Sequence, residues 1–565
     1  MNIELGRADQ VIVVGFFVVM LAIGIYFASR MRSMKDYFSG GRQVPWWLSG
    51  TSLYMSSFSA WSFVAYSELS YKYGMTALTL QWTVVPAMLI SAYWFASRWR
   101  RAATTSPLEF IEERYGPGLR QGLSWLGVPL TVIDDALKLV AIGTLVSFSL
   151  GIRLPHVILG CGLLMLMYTF LGGLWAVLLT DFVQFIVMAA AVVALIPLAW
   201  RRVGGLGRFV EQAPEGFFSL TSSEHSPFMI FTFLVIIVLG AITRWSYVQR
   251  FYAVRTDADA RKVGYLVAAL SLIGPPLLFF PAMASRLFLP EVEDTTKVYA
   301  LLCADLLPVG MMGLVIAALF SATMSMLSSD YNAVASVITN DVYKRIIAPD
   351  ASERSLVLVG RLATLAVGLV AVGIAVMMAV AGERGDLFNV MAKLFAVLLP
   401  PIAIPMIAGL TTKRVSNTGG IASFSVGAAL GIGAYFLGGL ESLAFLRKME
   451  CMTWLTTGGA LIGLIAGTLA SRGNREERAR VGAFVDMLRS PEAQQEPSEP
   501  AGSALSPLPV IAASTIALGL LVIAVVGLTA PLDQAAMAIT TGAGMALFGV
   551  ACLIRQRVSS ARRAS

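Results

Sequence analysis

The stretch 321-SATMSMLSSDYN-332 sets a run of hydroxyl groups inside an otherwise apolar part of the chain. On an α-helix, where each residue turns by about 100°, Ser321, Ala322, Ser325, Ser328, Ser329 and Asn332 fall within roughly 120° of arc. One side of such a helix is a column of oxygen atoms. Neutral hydroxyl and carbonyl oxygens suit a hard cation that must be bound weakly enough to leave. The same serines could instead bond back to the i−4 carbonyls and serve packing alone. Asp181 is an ionisable group inside a second apolar stretch, which is costly without a partner. A carboxylate facing the serine column would supply the one negative charge a sodium or proton site needs. Asp330 lies about 140° from Ser325 and is not assigned to the ion.

Two further groups of charged residues interrupt apolar segments. In 132-VIDDALKLVAIG-143, Asp134 and Lys138 are spaced i,i+4 and Asp135 and Lys138 i,i+3, so either pair can neutralise itself. The surplus carboxylate is then free to take a proton or to meet a cationic group of a solute. Arg244, in VLGAITRWSYVQRF, stays charged at any relevant pH and suits bidentate recognition of a carboxylate. Alternatively it pairs with Glu68 or Asp135, or extends towards the membrane surface.

The elements that must hold these residues are membrane helices. The chain has 565 residues, 57% of them hydrophobic and only 13% charged, which no soluble globular domain matches. About fifteen segments of roughly 18 to 25 mostly apolar residues are present, the length a helix needs to span a bilayer. The first is not read as a signal peptide, because acidic Glu4 and Asp9 flank it and no cleavage-site pattern follows. With the N-terminus outside, most of the 42 Lys and Arg fall in loops on the cytoplasmic side, as the positive-inside rule requires. The net charge of +8 then reflects topology and attraction to anionic lipid, and nucleic acid is not an expected partner. Four scattered cysteines and two histidines offer neither a disulfide framework nor a zinc motif. No nucleophile–base constellation is visible, so an enzyme is not expected.

Two spans look interrupted. The second, 46-WWLSGTSLYMSSFSAWSFVAYSE-68, carries serines through its middle, and the seventh carries Gly240, Thr243 and Arg244. Broken helices five spans apart point to an inverted-repeat transporter with its site near the midplane, although small residues also serve close packing.

Five stretches, 37-YFSGGR-42, 106-SPLEFIEERYG-116, 168-YTFLGGLWAVLLTDFVQ-184, 245-WSYVQRFYAVRTDADARK-262 and 318-ALFSATMSMLSSDYNAVASVITNDVYKR-345, together resemble the sodium/solute symporter family of sugar, proline and sialic acid carriers. The resemblance implies an all-α polytopic protein with a LeuT-type core of two inverted five-helix repeats. One extra helix precedes that core and about four follow it. Residues 1–43 would be the leading helix and loop, 44–411 the core, and 412–471 two added helices. A polar cytoplasmic linker, opening with a short amphipathic helix, would occupy 472–507, and 508–565 a terminal helix pair with a basic tail. The family's main sodium site maps onto carbonyls of Met55, Phe58 and Ala322 and hydroxyls at Ser325 and 326. Residue 326 is a methionine here, a soft and poor ligand for sodium. A further sodium site of some members maps onto Asp181, Ser325, Ser328 and Ser329. Counting from the matched motifs places Ser57, Ser62, Gln81, Arg244 and Lys393 near the solute.

The expectation is a multi-pass protein of the inner (plasma) membrane that carries a small anionic or zwitterionic solute with sodium by alternating access. No obligatory protein partner is evident beyond lipid. Proton-coupled or sodium-independent transport is the alternative within that class, and a non-transporting solute sensor the alternative outside it.

Overall fold

Lipid offers no hydrogen bonds to an exposed backbone, so apolar spans must close their own bonds as helices. The computed structural model describes residues 6–28, 40–57, 60–102, 108–308, 310–381, 387–471, 475–490 and 506–564. Among them there is no strand, only an isolated parallel bridge between Val44 and Val254. That bridge ties the entrance of the first interrupted span to the exit of the second.

Eleven helices among the described residues are long and apolar enough to cross a membrane. The pair Pro227–Thr243 and Trp245–Tyr252, bent by 48°, adds one more when taken as a single span. The three other expected spans are helical as well, and each departs from a plain apolar helix for a physical reason. Pro117–Leu150 carries Asp134, Asp135 and Lys138 at its middle. Trp46–Met55 and Ala60–Tyr73 are two halves of a span, with Ser56 and Ser57 in the turn between them. Residues 155–173 form a short apolar helix that runs into Gly173. There φ is 57°, a left-handed conformation that glycine adopts without a Cβ clash, and the helical run Leu154–Val203 kinks into two spans.

Met311–Val337, the serine helix, sits at the centre of the molecule. Every residue of it except Met312 is buried. It packs against Gly173–Val203, the aspartate helix that carries Asp181, and against Pro117–Leu150 and both interrupted spans. A helix this polar is stable there because its hydroxyls find acceptors, as when Ser321 Oγ donates to Ala317 O at 2.7 Å and Thr323 Oγ1 to Leu319 O at 3.2 Å.

The added helices close the periphery. Asn417–Leu437 and Met449–Ala470 pack on each other and on Leu387–Thr411, while Leu508–Thr529 and Leu532–Ala564 pair and lean on Arg7–Ala28 and the aspartate helix. The amphipathic helix expected after the last core-flanking span is present as Arg475–Arg489. It buries Val481, Phe484, Val485 and Leu488. It is pinned to span ends by Arg101 Nη1 donating to Leu488 O at 3.0 Å and by Arg489 Nη2 donating to Thr411 O at 2.7 Å. Residues 472–474 and 491–505 of the expected linker lie outside the described residues.

Candidate ion and solute site

The two interrupted spans meet at their breaks. In the first, the helix stops at Met55, and a helix end leaves carbonyls that the helix itself cannot satisfy. In the second, Arg244 adopts an extended conformation between Thr243 and Trp245 (φ −61°, ψ 128°). Tyr247 OH donates to Ser57 Oγ at 3.0 Å, joining one break to the other. Lower down, Ser49 Oγ donates to the carbonyl of Arg250 at 2.8 Å. Both spans lie against the serine helix, with Ser56 and Ser329 hydroxyls 2.9 Å apart and Gln249 Nε2 donating to Asn332 Oδ1 at 3.3 Å.

On one face of the serine helix lies Asp181, wholly buried. Its Oδ2 accepts from Ser52 Oγ and stands 3.6 Å from Nη2 of Arg250, also wholly buried. Arg250 donates from Nε and Nη2 to Ser52 Oγ at 3.2 and 3.1 Å, and from Nη2 to Ser329 Oγ. Two oxygens in this neighbourhood, Asp181 Oδ1 and Ser325 Oγ, are buried and make no hydrogen bond of ordinary geometry, although the Ser325 hydroxyl faces the Asp181 carboxylate. Ser325 is one turn above Ser329 on the same face, and Ser328 Oγ donates to its carbonyl at 3.2 Å. Oxygens of this hardness, carrying a carboxylate among them, fit a sodium ion.

Of the expected carboxylate-and-serine group, Ser325 lies beside Asp181, Ser329 meets it through Arg250, and the Ser328 hydroxyl turns back to the Ser325 carbonyl. Asp181 is not a lone negative charge awaiting a cation, because Arg250 already stands beside it. In a low-dielectric interior an isolated carboxylate is too costly to persist, and the arginine from the neighbouring broken span offsets it.

On the adjoining face of the serine helix is a cavity of about 190 Å³, below the usual drug-sized range, and Met326 is part of its wall. Ser57, Ser62, Gln81 and Arg244 line it. Lys393 does not, although Ala392 and Phe395 on the same helix do. Met55 and Ala322 are buried, and Phe58 lies outside the described residues. The helix Pro117–Leu150 contributes a stripe of Gly127, Leu130, Thr131 and Asp134, the i, i+3, i+4, i+7 positions of one face.

Arg244 does not reach Glu68 or Asp135. Its Nη2 is 2.9 Å from Oδ2 of both Asp134 and Asp330. Lys138 Nζ lies 2.8 Å from carboxylate oxygens of Asp134, Asp135 and Asp330, so both intrahelical pairs form and a third partner joins from the serine helix. Glu68 instead accepts from Lys72 and from Thr295. The guanidinium of Arg244 also sits 5.7 Å from the Tyr247 ring and 5.8 Å from that of Phe395, within cation–π range.

Residue-by-residue reading missed Arg250, Ser52 and the partnership of Asp330. A signal for the first was present: an arginine within an apolar span needs a buried partner, and Asp181 was the carboxylate without one.

Comparison with known proteins agrees with this geometry. Residues 37–427 match the sodium:solute symporter family. A sodium/glucose cotransporter of Vibrio parahaemolyticus is 27% identical over 462 residues, covering 74% of this chain and 84% of that protein. A sodium/sialic acid symporter of Aliivibrio fischeri is 25% identical, covering 73% of this chain and 84% of its own length. The structure of a Na+-coupled sialic acid symporter in a substrate-bound outward-open state superposes with a TM-score of 0.71 at 22% identity, over 81% of this chain and 98% of that one. That likeness establishes the LeuT-type fold. The chain belongs to the sodium:solute symporter family, and it is a multi-pass membrane transporter that couples solute symport to sodium.

Proposed function

We propose that sodium binds on the Asp181 side of the serine helix and that the solute, small and carrying a carboxylate, binds in the cavity on its other face. The observation that supports this reading is the adjacency of residues 325 and 326. Ser325 presents its hydroxyl on the ion side, while the next residue, Met326, is part of the cavity wall. One rigid helix thus touches both sites at the same level, beside two helix breaks that can move against it. Filling the ion side biases the arrangement of the breaks and hence the cavity, which is what coupling by alternating access requires.

Asp181 Oδ1 and Ser325 Oγ would hold this ion, with Ser328 and Ser329 completing the hydroxyl face, while the carbonyls of Met55, Phe58 and Ala322 with Ser325 would form the separate main sodium site that the family resemblance implies. Because Arg250 already offsets Asp181, sodium adds charge to a nearly neutral pair and is held weakly, as an ion that must be released should be. Relatives are named for solutes from neutral glucose to acidic sialic acid. Arg244 favours the acidic end. Its Nη2 is engaged by Asp134 and Asp330, which leaves the donors on Nε and Nη1 for a solute carboxylate. The transporter would lie in the inner (plasma) membrane with its N-terminus outside.

Uptake into proteoliposomes with sodium replaced by choline tests the coupling, and it should fall to background. Ser325→Ala should raise the sodium concentration for half-maximal uptake roughly tenfold, the loss expected for one hydrogen-bonding or ligating group to a charge. Full uptake in choline that grows as the outside is acidified would instead establish proton coupling, for which the surplus of carboxylates around Lys138 and Arg244 is the motive.

A further inference from the structure

The buried charges beside the cavity do not balance. Asp134, Asp135 and Asp330 bring carboxylate oxygens within 4.8 Å of one another, against the two cations Lys138 and Arg244. Lys138 is ion-paired with all three at 2.8 Å and donates hydrogen bonds to Asp135 Oδ1 and Asp330 Oδ2. Arg244 reaches Asp134 and Asp330 through a single nitrogen. With all three carboxyls ionised the cluster would carry one negative charge too many for the membrane interior, and a proton or a cationic ligand offsets it.

The structure also shows which of these carboxyl groups borders the cavity. Asp135 is sealed from the cavity, but Asp134 lines it, is 2% exposed, and keeps Oδ1 without any hydrogen-bond partner. One turn earlier on the same face, Thr131 lines the cavity too. Its hydroxyl donates to Gly127 O at 3.0 Å, so its oxygen lone pairs remain to accept. The rest of the cavity wall is largely aliphatic, with the aromatic rings of Tyr66, Trp245 and Tyr247 among its residues. A carboxylate oxygen, a hydroxyl acceptor and aromatic faces are the surroundings that receive an ammonium group.

We propose that the solute bears a protonated amine and that Asp134 is the carboxylate that receives it. This deepens the reading of the cavity as the solute site and rests on it. With Arg244 offered to a carboxylate, the solute class becomes a zwitterion whose ammonium lies on the Asp134 side and whose carboxylate lies on the Arg244 side. A purely anionic solute would bring negative charge up to three clustered carboxyl groups. A neutral sugar would bring no charge to the unpartnered Asp134 Oδ1.

The test is a thermal-shift panel on the purified wild-type protein in saturating sodium, since a ligand of the native state raises its melting temperature. The panel holds the proteinogenic amino acids, each with its decarboxylated amine and its deaminated acid, together with glucose, myo-inositol and N-acetylneuraminate. At least one amine-bearing compound should stabilise the protein, and its deaminated counterpart should not at equal concentration. Radiolabelled uptake of that compound should then weaken at least about tenfold in Asp134→Asn and be retained in Asp134→Glu, the size of effect expected when a buried charge pair loses a partner. Stabilisation only by neutral or purely anionic compounds, or by no amine-bearing compound, overturns the proposal, and the wild-type panel decides this even where the asparagine variant does not fold. Sodium-driven uptake of a compound without an amine would leave the symport reading standing while this one falls. Amine-selective binding without any effect of sodium would do the reverse.

Discussion

Arg250 and Asp181 show how a single pair sets the character of the ion site. Each is wholly buried and each would be intolerable alone. Arg250→Met should therefore destabilise the protein by about 3–5 kcal/mol, and adding Asp181→Asn should recover much of that loss, because the double variant leaves no orphaned charge. Melting temperatures of the two single variants and the double variant in sodium-free buffer check this, and additive losses would show that the pair is not coupled. Met326 is the second residue whose identity matters. Its thioether replaces a hydroxyl expected from the family resemblance, and its side chain is part of the cavity wall. Met326→Ser should increase sodium affinity in equilibrium binding. An unchanged affinity would mean that the main sodium site does not include position 326.

At the scale of elements, the site exists because three helices are interrupted or bent where lipid would normally forbid it. The breaks at Ser56–Ser57 and Arg244 are tolerated because their freed backbone groups face protein and cavity rather than hydrocarbon. The kink at Gly173 lets the chain re-enter the membrane and places Asp181 two turns into the next span. Any other residue there adopts a positive φ at a cost. Gly173→Ala should lower stability by about 1–2 kcal/mol, read as a drop in melting temperature, while sodium affinity in the folded fraction is unchanged. Loss of sodium binding at unchanged stability would mean that the kink shapes the ion site directly.

For the whole molecule, no described residue of the first helix or of the helices after Thr411 lines the cavity. The amphipathic helix Arg475–Arg489 anchors to span ends through Arg101 and Arg489 and lies on the side proposed to be cytoplasmic. The orientation follows from the distribution of Lys and Arg and is open to direct measurement. An epitope placed at the N-terminus should bind antibody in intact spheroplasts, and one placed within 491–505 should bind only after permeabilisation. The opposite pattern would invert the topology.

Composition and span lengths alone determined that this is a helical membrane protein, because lipid leaves an apolar chain so few alternatives. Periodicity put Ser325, Ser328 and Ser329 on one face, and local spacing paired Lys138 with Asp134 and Asp135, because contacts within one helix are fixed by 3.6 residues per turn. Partners from distant segments were beyond that reach. Arg244 meets Asp134 and Asp330 at separations of 110 and 86 residues, and Arg250 reaches Ser52 across 198. Which of several buried charges face one another depends on how broken spans dock against the serine helix. Only the tertiary structure decided that Asp181 has a resident counter-charge and that Asp134 is left with an oxygen to offer.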